Sequence, residues 1–413
     1  MASRFAPLRD RNFARVFAAR LISAFGTPMA PVALPFAVLE DLHGSARDVG
    51  LVIAAASGAQ VVFQIFAGAL ADRGSRRAQM VTGDLAAAAA QGAIALLLAL
   101  HLASVPALIL LEVVIGTAFA LQHPAAVGLV PLVVERERLQ AANALLAIAS
   151  STAMGLGAAA AGIIAARYGA RVALAIDALT FVVSAILVSG VRERAQERTQ
   201  TESLLTELRG GWREFTSHRW LWTIVLQFTV MLVGWFGTYA VVGPVIAKRS
   251  LGGAAAWGII ASANGFGLIA GGLVALRVHF PRPIFAATLC CFPFALLPLT
   301  LVAPLSVPWI AAAAFAAGVS GELFGVLWFT ALHTHVDPAA LSRVSAYDAV
   351  GSIALVPLGE VLAGFALDAF GSAATLIGAC AAIVVPTAAV LFVREVRELR
   401  ATPPIATGTL AGE

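Results

Sequence analysis

Seven ionisable side chains stand inside long apolar runs of this chain: Asp84, Glu112, Asp177, Glu322, Asp348, Glu360 and Arg20. A charge at the centre of a lipid-embedded helix costs roughly 2.5 to 3.5 kcal/mol, so each needs a partner or a task. A carboxylate desolvated between two aqueous faces can load and release a proton. Glu112, Glu322, Glu360 and Asp84 are the candidate proton carriers, and a structural hydrogen bond or ion pair is the alternative for each. For Glu112 that partner is Arg20. Asp84 lies six residues past Ala78, about 9 Å along a helix, within reach of loop arginines, which favours a structural role. Asp177 and Asp348 fall within two turns of a helix end, where water or a cap can solvate them.

Other polar and aromatic side chains in the apolar runs suit a small-molecule cavity: Arg20, Gln60, Phe63, Gln64, Gln227, Trp235, Tyr239, Asn264 and Trp328. Each competes with a core or lipid-facing position, and Trp220 and Trp222 read as interfacial anchors. No convergent nucleophile, base or metal-ligand set is visible, so no catalytic residue, cofactor or metal is expected. His333 and His335 lack a third ligand. Gly265-Phe266-Gly267-Leu268-Ile269-Ala270 imitates a dinucleotide fingerprint without the preceding strand. A phosphate-cradling loop of the kind that serves an ATP-driven pump is missing.

The elements that must hold these side chains are membrane helices. The 413 residues are 60% hydrophobic and 12% charged, with mean hydropathy +0.89, against about 25% charged in a soluble domain. A helix of about twenty apolar residues crosses the hydrocarbon core. Six such runs fall before a charged stretch at 192–219 and six after it. The expected organisation is an N-terminal six-helix bundle (1–191), a linker (192–219), a C-terminal bundle (220–400) and a disordered tail (401–413). Cys290, Cys291 and Cys380 all lie in apolar runs, which argues against a disulfide framework.

The net charge of +4 does not imply a nucleic-acid partner, because the cations are scattered between apolar runs. With the N-terminus inside, cytoplasmic segments take 21 of the 27 Lys and Arg residues. The positive-inside rule then places both termini in the cytoplasm. The first apolar run reads as a retained helix, not a cleaved signal.

Sliding the chain by 202 residues superposes Gly116 on Gly318, Gly157 on Gly359, Gly162 on Gly364 and Gly169 on Gly371. Glu360 falls on Ala158 in the same register. Spaced glycines in one frame indicate two parallel repeats with a site between them near the membrane midplane.

Gly68-Ala69-Leu70-Ala71-Asp72-Arg73-Gly74-Ser75-Arg76-Arg77 resembles the loop between the second and third helices of the major facilitator superfamily. Ser75 stands where that pattern has glycine. Gly272 and Arg277 keep the spacing of Gly68 and Arg73 in the second half, without the aspartate. The resemblance implies an all-α integral membrane fold of twelve transmembrane helices in two pseudo-symmetric six-helix bundles. It also implies that Gly68, Asp72, Arg73, Arg76, Arg77, Gly272 and Arg277 brace conformational change. Gly155 to Gly162 resembles a weakened antiporter motif with Ala158 in place of proline, and generic helix packing explains it equally well. Glu112 stands four residues before Gly116, where proton-coupled members have arginine.

Leu8 to Phe13, Ala141 to Leu145, Asp177 to Phe181 and Leu341 to Ser345 resemble the enterobactin-exporter-like, macrolide-efflux-like branch. That resemblance implies a proton-driven exporter of small amphiphilic molecules, and the expected setting is a monomer in the bacterial cytoplasmic membrane. An ion-coupled importer or facilitator is the alternative, and a membrane scaffold or enzyme the rival of another class.

Overall fold

The computed structural model describes residues 6–73, 75–135, 138–193, 212–278, 280–337 and 340–401. For 65–73, 342, 343 and 346 it describes the backbone only. The sequence expectations for Gly74 and for the tail beyond 401 lie outside the described residues, as does most of the linker. A short helix covers 212–217.

Bilayer interiors offer no water to backbone groups, so the apolar runs must close their hydrogen bonds as helices. They do so as α1 (Arg11–Asp41), α2 (Ala46–Arg73), α3 (Arg76–Ala99), α4 (Val105–Val133), α5 (Leu139–Tyr168), α6 (Ala170–Ser189), α7 (Arg219–Leu251), α8 (Ala254–Ala275), α9 (Pro283–Val302) and α10 (Val307–His335). The last helical run, Tyr347–Val390, is 44 residues long, about 66 Å at 1.5 Å per residue and twice what a bilayer needs. It breaks at Gly371, whose φ of 79° and ψ of 174° are not helical. The break yields α11 (341–370) and α12 (372–390), twelve spans in all. A short α13 (Arg394–Glu398) follows.

Local signals set the ends. Asp10 caps α1, its Oδ1 accepting from the Asn12 and Phe13 amides at 2.7 and 3.1 Å. Ser75, the departure from the loop pattern, caps α3 by accepting from the Ala78 amide at 3.0 Å. A serine there satisfies a helix-terminal donor that glycine would leave open. The first helix of each half loosens into π-helical turns near a proline: 37–41 after Pro35, and 237–242 before Pro244.

The glycine register marks equivalent contacts in both halves. Gly116 of α4 abuts the Ala56 carbonyl of α2, and Gly318 of α10 abuts the Asn264 carbonyl of α8. Gly157 packs on Phe25 of α1, and Gly359 on Val233 of α7. Gly162 meets Gly258 of α8, and Gly364 meets Ala46 of α2, each across the divide. Gly169 and Gly371 turn the α5–α6 and α11–α12 corners at φ 86° and 79°. With ψ of 159° and 174°, both occupy a region open essentially to glycine alone. Gly371→Ala should therefore lower stability by about 1 to 3 kcal/mol, read as an earlier thermal transition of the purified protein in detergent. An unchanged transition would remove the corner's special status.

Within the N-terminal bundle α3 packs on α4 and α6, α2 on α4, and α1 on α5 and α6. In the C-terminal bundle α8 packs on α10, and α7 on the α11–α12 run.

Candidate functional site

The two bundles meet along two seams, α2 with α11 and α5 with α8. On the first, the Arg47 amide donates to Asp368 Oδ2 at 3.1 Å, and the Arg47 guanidinium lies 4.6 Å from the Phe365 ring centre. Deeper, the Ser57 hydroxyl donates to Glu360 Oε2, and Gly58 sits beside Pro357. On the second, Gly162 and Gly258 face each other, and Ser262 Oγ donates to the Gly155 carbonyl at 2.9 Å. Lys248 Nζ donates to the Leu39 carbonyl, adding a tie between α7 and α1. Among the described residues these contacts close the two halves on each other on the side of the loop face opposite the chain ends, from that face to mid-helix; the helix starts of α1 and α7 lie at the other face.

The buried acids divide by their partners. Asp84 accepts from Gln122 Nε2 at 2.9 Å and from Ser184 Oγ at 2.8 Å, tying α3 to α4 and α6. Asp348 accepts from Trp328 Nε1 at 2.8 Å and from Ser352 Oγ at 3.2 Å. In both, each carboxylate oxygen accepts one hydrogen bond. Asp348, expected near solvent, is 8% exposed, and Asp177 only 2%, because neighbouring helices cover both. Glu112 is 4% exposed and keeps Oε1 without a hydrogen-bond partner; Asp177 keeps Oδ1 likewise. The two lie within electrostatic range of each other, and the α1 backbone at Gly26 closes over Asp177 and Thr180. Gln91 of α3, fully buried with both side-chain atoms unpartnered, stands next to Gly92, which faces Ala178 of α6. Glu322 is half-buried beside Gly271 and Gly272. No described ion pair joins Glu112 to Arg20; Arg20 instead lies in range of His123 of α4.

The repeat gives these placements a control. By the 202-residue register Glu112 corresponds to Ala314, Asp177 to Ala379 and Thr180 to Ala382. The register holds here structurally, since Gly26 packs on Asp177 where Gly234 packs on Ala379. The scaffold thus closes with alanine at these positions, and burying two acids there is unnecessary for folding. An unsatisfied buried polar group costs about 1 to 3 kcal/mol, so their presence points to a task.

The cavity candidates scatter. Gln60 and Gln64 are half-buried and Phe63 is exposed, and Gln64 Oε1 has no hydrogen-bond partner. Gln227 is buried and donates to Thr387 Oγ1 at 2.9 Å. Asn264 Nδ2 donates to the Ala314 carbonyl at 3.0 Å, locking α8 to α10. Trp235 and Tyr239 stack at 5.5 Å beside Phe294 and Trp257. Trp328 is buried by its bond to Asp348. Gln227, Asn264 and Trp328 thus serve helix packing in this conformation. His123, Gln91 and Ser57 were not singled out from sequence; a lone histidine or glutamine in an apolar run carried the only signal.

Of the loop residues, Gly68, Asp72 and Arg73 lie on the α2 backbone, and their side chains are outside the described atoms. Arg76 packs over Gly128 of α4. Arg77 donates to the Ser189 and Val191 carbonyls at 3.4 and 3.3 Å, and its amide donates to Glu193 Oε2 at 3.3 Å. A cation at the α6 C-terminus complements the helix dipole. Arg277 is exposed.

Twelve helices in two repeats, joined along two seams, define the fold of a secondary transporter. The chain belongs to the Major Facilitator Superfamily, whose model matches residues 16–347. Its fold is similar to that of a bacterial homolog of the human lysosomal transporter Spinster in an inward-facing, unoccupied conformation. The TM-score is 0.72 at 14% identity, over 97% of this chain and 99% of that one. It also resembles the nucleoside transporter NupG (TM-score 0.70, 12% identity, 92% and 98% covered). A peptide transporter POT in complex with sulfate is similar as well (0.73, 13%, 95% and 96%). No curated protein matches the chain in sequence.

Proposed function

We propose that the protein is a proton-driven exporter of small amphiphilic molecules working by alternating access. The observation that carries this reading is the Glu112–Asp177 pair: two buried acids with orphan oxygens at positions the sister bundle fills with alanine. A bound proton neutralises part of that charge in one state and leaves in the other. The seam bond from Ser57 to Glu360 links the halves across the midplane and must break when the far face opens, so protonation of Glu360 is the second coupling point. Asp84, with both oxygens satisfied, has a structural role in this scheme, and Glu322 a subsidiary one.

Orientation follows from the cation count, which puts both termini in the cytoplasm of a bacterial inner membrane and makes the described state inward-facing. The branch-level sequence resemblance supports export. Each proton moving inward supplies about 2.3 kcal/mol per 100 mV. The protein works as a monomer, with lipid, substrate and protons as its partners. The test is transport in everted and right-side-out membrane vesicles, using amphiphilic dyes of both charge signs. Export predicts gradient-driven accumulation in everted vesicles. Accumulation confined to right-side-out vesicles with an inward proton gradient would make the protein an importer instead.

A further inference from the structure

The two bundles present different chemistry at equivalent points. Two contacts fix the register of α1 on α7: Gly157 packs on Phe25 as Gly359 packs on Val233, and Gly26 on Asp177 as Gly234 on Ala379. Both give a shift of 208 residues, which carries Arg20 onto Phe228. Each lies nine residues beyond its helix start, Arg11 and Arg219, about 13 Å along the helix. In the 202-residue register of α4 on α10, Gln122 falls on Phe324 and His123 on Gly325. A polar, cationic corner in one half therefore corresponds, through the repeat, to an aromatic corner in the other, at one depth along the helices.

The cationic corner lacks a counter-charge. Arg20 is half-buried, and no carboxylate among the described residues pairs with it. Its neighbour in electrostatic range is His123, a second donor on the adjacent helix. A half-buried guanidinium with no anion beside it is a receptor for one. The aromatic corner is a ladder of near-parallel rings. Phe228 and Phe324 stack at 4.5 Å and 9°, and Phe324 and Trp328 lie at 6.0 Å and 12°. Phe324 and Trp328 are buried, while Phe228 ends the ladder half-exposed, leaving edge or face for another ring.

We infer that the two halves form, between these two corners, a cleft that binds planar aromatic anions, the acid group on Arg20 and His123 and the ring system against Phe228. This names the substrate class of the proposed exporter and rests on that reading for its location in the transport path, though not for binding itself.

The test measures equilibrium dialysis of radiolabelled naphthalene-2-sulfonate, 2-naphthylmethylammonium and cyclohexanesulfonate against the purified full-length protein in detergent. The aromatic sulfonate should bind at least tenfold more tightly than either partner. Arg20→Gln should abolish that preference over the ammonium, with Arg20→Lys keeping part of it in an equally monodisperse protein. Phe228→Ala should weaken the naphthalene sulfonate and leave the cyclohexane compound unchanged. Equal binding of the sulfonate and the ammonium, or wild-type selectivity in Arg20→Gln, would overturn the site even if the protein transports dyes. Selective, Arg20-dependent binding without vesicle transport would leave the site standing and remove the exporter reading.

Discussion

Glu112→Gln and Asp177→Asn should each abolish pH-gradient-driven accumulation while leaving substrate exchange across the same membrane intact. The neutral amides fill the same volume, so the bundle should fold. They remove the proposed site of proton exchange. A gradient of two pH units stores about 2.7 kcal/mol per proton, worth about a hundred-fold in substrate ratio, and that whole factor is at stake. Thr180 on α6 stands with Asp177 beneath the α1 backbone at Gly26. Asp84 is held by Gln122 and Ser184. Asp84→Asn should therefore affect stability more than coupling. The measurement is proteoliposome uptake with and without an imposed gradient, beside exchange at equal pH. Full gradient-driven uptake in both Glu112→Gln and Asp177→Asn would end the case for this pair as the coupling site.

Gly258→Val should prevent the far face from sealing. A Cβ on Gly258 would lie 2.6 Å from the Gly162 Cα and 3.0 Å from the Ala158 carbonyl, both backbone atoms that cannot turn aside. Small residues are what allow α5 and α8 this approach, and valine would drive them apart over a full turn. Transport should fall at least about tenfold, since one end state of the cycle is lost. A reporter is at hand in Ser262, buried on the same seam. With Cys290, Cys291 and Cys380 replaced by alanine, Ser262→Cys should be shielded from an impermeant maleimide on the far side and become reactive when Gly258→Val is added. Continued shielding would mean that the seam tolerates the extra bulk and that closure does not depend on this crossing. Gly162→Val should act in the same way from the other helix.

The fold was largely legible because hydropathy is a local quantity. A run of twenty apolar residues spans lipid whatever its neighbours do, so twelve spans could be read off, and Gly371 separates the last two where helical hydrogen bonding runs on. The glycine register was equally legible. Close helix crossings and left-handed corners admit little else, so Gly157, Gly162 and Gly169 recur as Gly359, Gly364 and Gly371 in equivalent contacts.

Which intramembrane acid is free and which is spoken for was decided by tertiary structure alone. In a soluble helix the apolar stripe reveals the buried face. Here lipid and protein core are both apolar, so the sequence carries no comparable mark of helix rotation. Asp348 accepts a hydrogen bond from Trp328 twenty residues away, and Glu360 meets Ser57 across 303 residues of chain. Nothing near Asp177 in sequence announces that Glu112 comes within electrostatic range of it. Composition and spacing determined that charges sit in the membrane and where along each helix. Their partners depend on how twelve rods turn against one another, a long-range outcome that only the packed bundle expresses.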